Sequence, residues 1–154
     1  MERSKFDKLK QYLIDNQFSF ELIHHKPIFN VVDGLNEIGI TSSEGFSTLI
    51  MSADGKYIAI VRRDDNKLSF GKVKKLLKIN NLTFAEKEKV LEITGCEVGY
   101  VSPYNPNLKT YIDESITEQS FIYGGTGSPE YDLKITPSDL VKITNGELIN
   151  LKKE

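Results

Sequence analysis

Phe46-Ser-Thr-Leu-Ile-Met51 and Lys56-Tyr-Ile-Ala-Ile-Val61, joined across Ala53-Asp54-Gly55, form the stretch on which the fold turns. Both runs read as strands, and Asp-Gly supplies the positive φ angles that a tight hairpin turn requires. Upstream, Ser4 with Asp7 three residues later reads as a helix cap, and Phe6, Leu9 and Leu13 follow at helical spacing to an end near Asn16. Phe18, Phe20 and Leu22 then alternate with polar residues, which predicts a half-buried strand delivering His24, His25, Lys26 and Pro27. A short helix over residues 31–38 is stopped by Gly39. Downstream of the hairpin, Leu68, Val73, Leu76 and Leu77 oppose lysines, so residues 67–79 read as an amphipathic helix.

Thr83 and Glu86 match a capping box, and the helix they open runs through Val90, Leu91 and Ile93 to Gly95 as its left-handed stop. Strands are expected at 97–101, 110–113, 119–123 and 131–136, and Pro137-Ser138-Asp139 leads into a short last helix from Asp139 to about Ile143. Strands intermixed with helices predict an α/β (mixed α+β) domain, a curved and partly barrel-like mixed sheet with helices outside, over residues 1–154.

Composition narrows the class. With 154 residues, 39% hydrophobic and 27% charged, the chain reads as one soluble globular domain. No apolar run approaches the roughly 20 residues of a membrane helix, and the charged N-terminus lacks a secretory core, so a cytoplasmic location is expected. A single cysteine and two histidines give no disulfide and no metal-ligand spacing; neither metal nor cofactor is expected. The net charge of −2 excludes a broadly cationic nucleic-acid binder. It still permits a local basic face, and Arg62, Arg63, Lys67, Lys72, Lys74, Lys75 and Lys78 crowd one short stretch. A solvated helix face is the competing reading of that cluster.

Two glycine-punctuated segments carry the chemistry: Gly95-Cys-Glu-Val-Gly99-Tyr-Val-Ser-Pro103 and Tyr123-Gly-Gly125-Thr-Gly127-Ser-Pro129. Each lets bare backbone approach a ligand, so the chemistry they suit relies on main-chain N–H donors. Ordinary tight turns are the plainer alternative.

Several segments, in order, resemble the YbaK and prolyl-tRNA synthetase-associated editing domains. These are Phe46-Ser-Thr-Leu-Ile-Met51, Val61-Arg-Arg-Asp-Asp-Asn-Lys-Leu68, Gly99-Tyr-Val-Ser-Pro103, Tyr111-Ile-Asp-Glu-Ser115, and the run from Gly124 to Leu140. The resemblance implies a deacylase of Cys-tRNA(Pro) or Ala-tRNA(Pro) type, whose pocket receives the 3′ acceptor end of a mischarged tRNA. It implies an aminoacyl-tRNA synthetase as a further partner. Gly99 to Pro103 would offer donors to the ester carbonyl, while Gly124 and Gly125 would line the opposite wall. Ser102, Pro103, Phe46, Thr48, Tyr123, His25 and Asp132 are the implied substrate-binding positions, with Asp132 holding the substrate amino group. Arg62, Arg63, Lys72, Lys74 and Lys75 are the implied tRNA-binding face.

Ser47 departs from the family, whose enzymes carry a lysine there. Three consequences stay open: Lys26 or Lys56 supplies the cation, Ser47 acts as a donor, or hydrolysis is lost and a tRNA-binding homologue remains. Hydrolysis of some other small or nucleotide-linked ester is a third reading. Cys96 has no activating base in its sequence neighbourhood and reads as a buried hydrophobe. Asp113 and Glu114, adjacent on a strand, face opposite sides and cannot share acid and base work.

Overall fold

The computed structural model describes residues 4–27 and 36–151. Helix α1 spans Lys5–Asp15, with Ser4 accepting from the Asp7 N–H at its start and Leu9 and Leu13 fully buried beneath it. Burying two leucines stabilises the helix on the sheet by roughly 1.5–3 kcal/mol each. Strand β1 (Glu21–His24) follows. Of the expected short helix, residues 31–35 lie outside the described residues; Asn36 to Ile38 are helical and Gly39 follows at φ +79°.

The hairpin forms as read. Strands β2 (Gly45–Ala53) and β3 (Lys56–Arg63) pair antiparallel from Phe46 opposite Arg63 to Ala53 opposite Lys56. Asp54 and Gly55 turn at φ +50° and +85°. The Asp54 carboxylate also accepts the N–H groups of Asn80 and Asn81, at 3.0 and 2.7 Å, which holds its pKa below the usual range. The turn is thereby tied to the chain entering β4.

Beyond the hairpin come α2 (Phe70–Leu77), β4 (Leu82–Phe84), α3 (Lys87–Thr94), β5 (Thr110–Asp113), β6 (Ile122–Gly125), β7 (Tyr131–Ile135), α4 (Pro137–Thr144) and β8 (Glu147–Ile149). The sheet runs β1-β7-β6-β2-β3-β5-β8, with β4 also on β2. The β2–β6, β3–β5 and β5–β8 pairs are parallel and the others antiparallel, so the sheet is mixed as expected. Its core divides into an α1/α4 side around Ile112, Ile122 and Leu133, an α2 side around Met51, Ile60 and Val73, and a smaller cluster of Ile50, Ala59, Val90, Cys96 and Val101.

Two local readings need correction. Thr83 does not cap a helix; it lies in β4, opposite Ser52, and Glu86 precedes α3 without a side-chain cap. The edge of β2 needed a ladder partner, and that nonlocal pairing outweighed a local capping pattern. Residues 97–101 are not a strand either. They form a turn, with the Tyr100 N–H reaching the Glu97 carbonyl at 3.4 Å and Gly99 at φ +109°, a conformation no extended strand contains. Gly95 does stop α3, at φ +72°.

Candidate functional site

Strand β2 is paired along its whole length with β3, but its other edge is shared. Gly45 and Phe46 pair with β6, and Met51 to Ala53 pair with β4. Between them, residues 47–50 have no strand on that edge among the described residues; the Ile50 carbonyl takes the Ala85 N–H instead. A cavity of about 450 Å³ occupies this gap. That volume lies in the range of small-ligand sites. Its floor is the open stretch of β2 with Phe46, Ser47 and Thr48; Phe84, Lys87 and Val90 form one wall; Val98 to Val101 and Gly125 form the other.

The two glycine segments converge here. A side chain at Gly125 would put a Cβ 2.8 Å from the Val101 carbonyl oxygen, and the Gly127 N–H bonds the Tyr100 carbonyl at 2.8 Å. Glycine at 125 is therefore what lets the 99–101 turn lie flat against β6. Gly124 serves a different purpose: any Cβ there would collide with the Phe46 ring, which occupies that space.

Of the expected substrate positions, Phe46, Ser47, Thr48, Gly99 and Gly125 line the cavity. Ser102 and Pro103 are buried behind the turn, where the Ser102 hydroxyl accepts the Tyr104 N–H and its carbonyl accepts from Asn105. Tyr123 sits opposite Gly45, outside the lining. Cys96 is buried in the small cluster, and burial pushes its thiol pKa up.

His25 and Asp132 meet at 3.2 Å, also outside the cavity lining. His25 Nδ1 faces the Lys26 carbonyl at 2.7 Å, an acceptor only, so that nitrogen carries a hydrogen. Nε2 faces the Asp132 carboxylate. Burial pushes Asp132 up to about 6, against the lowering effect of His25. His24 points the other way, 65% exposed, as strand alternation requires.

Lys56 is not placed to supply a cation at Ser47. It stands opposite Ala53 at the hairpin turn, six residues along β2 from Ser47, about 20 Å at the strand rise. The cation beside Ser47 is Arg62, directly opposite on β3 and part of the lining, with its Nε buried and without a hydrogen-bond partner. Arg63 is committed elsewhere: its guanidinium binds Asp65 at 2.6 Å, Glu118 at 2.8 Å and the Ser115 carbonyl. Lys72, Lys74 and Lys75 lie on α2, away from the cavity lining.

Asp64 is the residue that sequence reading missed. It directly follows β3 and accepts the Ser47 hydroxyl at 2.6 Å. Burial lifts its pKa to about 6, opposed by the Ser47 hydrogen bond and by Arg62. Asp113, by contrast, is wholly buried and structural: it accepts from the Arg63 N–H, Asn66 and Ser115.

A mixed sheet whose central strand is open over four residues, roofed by a glycine turn, defines a class that comparison makes specific. The aminoacyl-tRNA editing domain model matches residues 25–143, and the chain belongs to that family. A proline–tRNA ligase of Caldicellulosiruptor bescii is 32% identical over 120 residues, covering 72% of this chain and 21% of that protein. The corresponding ligase of Geobacter sulfurreducens is 31% identical over 115 residues, covering 70% and 20%. The chain thus spans about a fifth of the length of these relatives. The fold matches a solved structure described as a candidate trans-editing enzyme for prolyl tRNA synthetase (TM-score 0.87, 20% identity, 100% of both chains). A hypothetical protein of solved structure is similar at TM-score 0.87 and 26% identity, over 95% of this chain and 99% of that one. No helix among the described residues is long and apolar enough to cross a membrane.

Proposed function

We propose that the chain is a hydrolase that deacylates mischarged tRNA in trans, of the type acting on Cys-tRNA(Pro) or Ala-tRNA(Pro). The observation that carries this reading is the meeting of the 99–101 turn with Gly125 over the open edge of β2. An aminoacyl ester is already reactive, so a site needs chiefly to orient it, offer N–H donors to the developing oxyanion and admit water. Gly99 and Gly125 bring backbone without a side chain to that point, beside Tyr100 and Val101. The acyl side chain would enter the apolar part of the cavity near Ile50, Val90 and Val101, where discrimination is steric. One methylene there is worth only about 1–3 kcal/mol. The tRNA 3′ end is the partner this reading requires, with a synthetase as a further one.

Ser47 supports a second reading, a homologue that binds charged tRNA without cleaving it. Purified protein incubated with a panel of aminoacylated tRNAs separates the two. Deacylation of at least one mischarged species above its spontaneous rate is expected. Salt-sensitive binding with no cleavage of any species would leave the second reading standing.

A further inference from the structure

A serine hydroxyl has one hydrogen, and at 2.6 Å from Asp64 Oδ1 that of Ser47 is committed to the carboxylate. What Ser47 keeps for the cavity is its lone pairs, so the site offers an acceptor with a carboxylate behind it. A ligand group settling against Ser47 must therefore be a donor. In an aminoacyl ester the carbonyl and ester oxygens only accept, and the one charged donor is the α-ammonium.

The charges around this point agree. Asp65 is paired with Arg63, and its charge still adds to the cost of ionising Asp64. Asp132 is paired with His25, outside the cavity lining, yet close enough to Asp64 that the charge of Asp64 raises the cost of ionising Asp132. Arg62, across from Ser47 on β3, eases the ionisation of Asp64 electrostatically, and its Nε has no hydrogen-bond partner. A compact cation beside Ser47 would relieve the repulsion between Asp64 and Asp132 and complete the hydrogen bonding of the serine.

Resting on the deacylase reading, we propose that Ser47 and Asp64 together receive the α-ammonium of the acyl group, the hydroxyl touching it and the carboxylate supplying the opposing charge. The role expected of Asp132 thus falls to a different carboxylate, one reached through Ser47 at the floor of the cavity. Acyl groups whose amine is blocked are excluded, and Ser47 and Asp64 become residues that set specificity.

The test uses non-hydrolysable amides of 3′-amino-3′-deoxyadenosine bearing alanine, serine or cysteine, each with its N-acetyl counterpart, titrated calorimetrically into the full chain. At least one free-amine amide should bind about 30-fold or more tightly than its N-acetyl form. Asp64→Asn should lower the free-amine affinity to the N-acetyl level while leaving the N-acetyl affinity unchanged. Ser47→Lys, which places its own ammonium against Asp64, should produce the same loss. Affinity of the natural chain should fall as pH drops through about 6, where Asp64 takes up its proton, and Asp64→Asn should abolish that dependence although His25 and Asp132 remain. Thermal unfolding of each variant confirms that it is folded. Free-amine and N-acetyl amides binding within about threefold of each other, or tighter binding by Ser47→Lys, would overturn the inference and leave the deacylase reading intact. Binding of none of the amides would overturn both.

Discussion

Asp64 holds its carboxyl in a partly buried position, and that desolvation raises its pKa from the ordinary 3.8 to about 6. A carboxyl raised in the folded state favours folding while it is protonated. That contribution is complete below about pH 4 and is lost as pH rises through 6, so at neutral pH the ionised group costs roughly 2–3 kcal/mol. Asp64→Asn is therefore expected to be more stable than the natural chain in urea unfolding at pH 7.5, with the advantage gone at pH 4. An equal effect at both pH values would show that ionisation is not the cause. This residue was illegible in the sequence because nothing in Arg62-Arg63-Asp64-Asp65 marks which carboxylate turns inward. The structure decides it: Arg63 takes Asp65 outward, and Ser47, on the neighbouring strand, receives Asp64.

At the scale of elements, the cap of α1 was legible because Ser4 and its helix form one continuous segment. Thr136 was read as the end of a strand, yet it accepts from the Asp139 N–H and caps α4, with Pro137 at the first helical position. Thr83 looked equally suitable and is a strand residue. The two threonines should respond differently to truncation. Thr136→Ala is expected to cost about 1 kcal/mol, whereas Thr83→Ala, exposed on an edge strand, should stay within about 0.5 kcal/mol. Chemical denaturation of both variants checks the contrast. Strand β8 escaped notice for a related reason. Three residues carry too little periodicity to read, and their place is set by the parallel pairing of Ile112 with Leu148.

Across the whole molecule, the site depends on two segments distant in sequence lying against each other. Gly125→Ala would press a methyl group against the Tyr100–Val101 backbone, which cannot rotate away as a side chain can. A loss of about 1–3 kcal/mol is expected, together with a changed cavity wall and loss of any deacylation. Measured stability and deacylation both equal to those of the natural chain would mean that the contact is dispensable. The exposed faces of Phe84 and Val98 at the cavity, 55% and 56% accessible, also come from elements that meet only in the folded state.

Hairpin, helix periods, glycine stops and the glycine-rich segments were readable from the chain because each is encoded within a window of a few residues. Which four residues of β2 lack a strand on their second edge, which cation stands across from Ser47, and which carboxylate backs it are set by strand register. Register is a property of partners far apart along the chain, and residue types in a local window carry no record of who those partners will be.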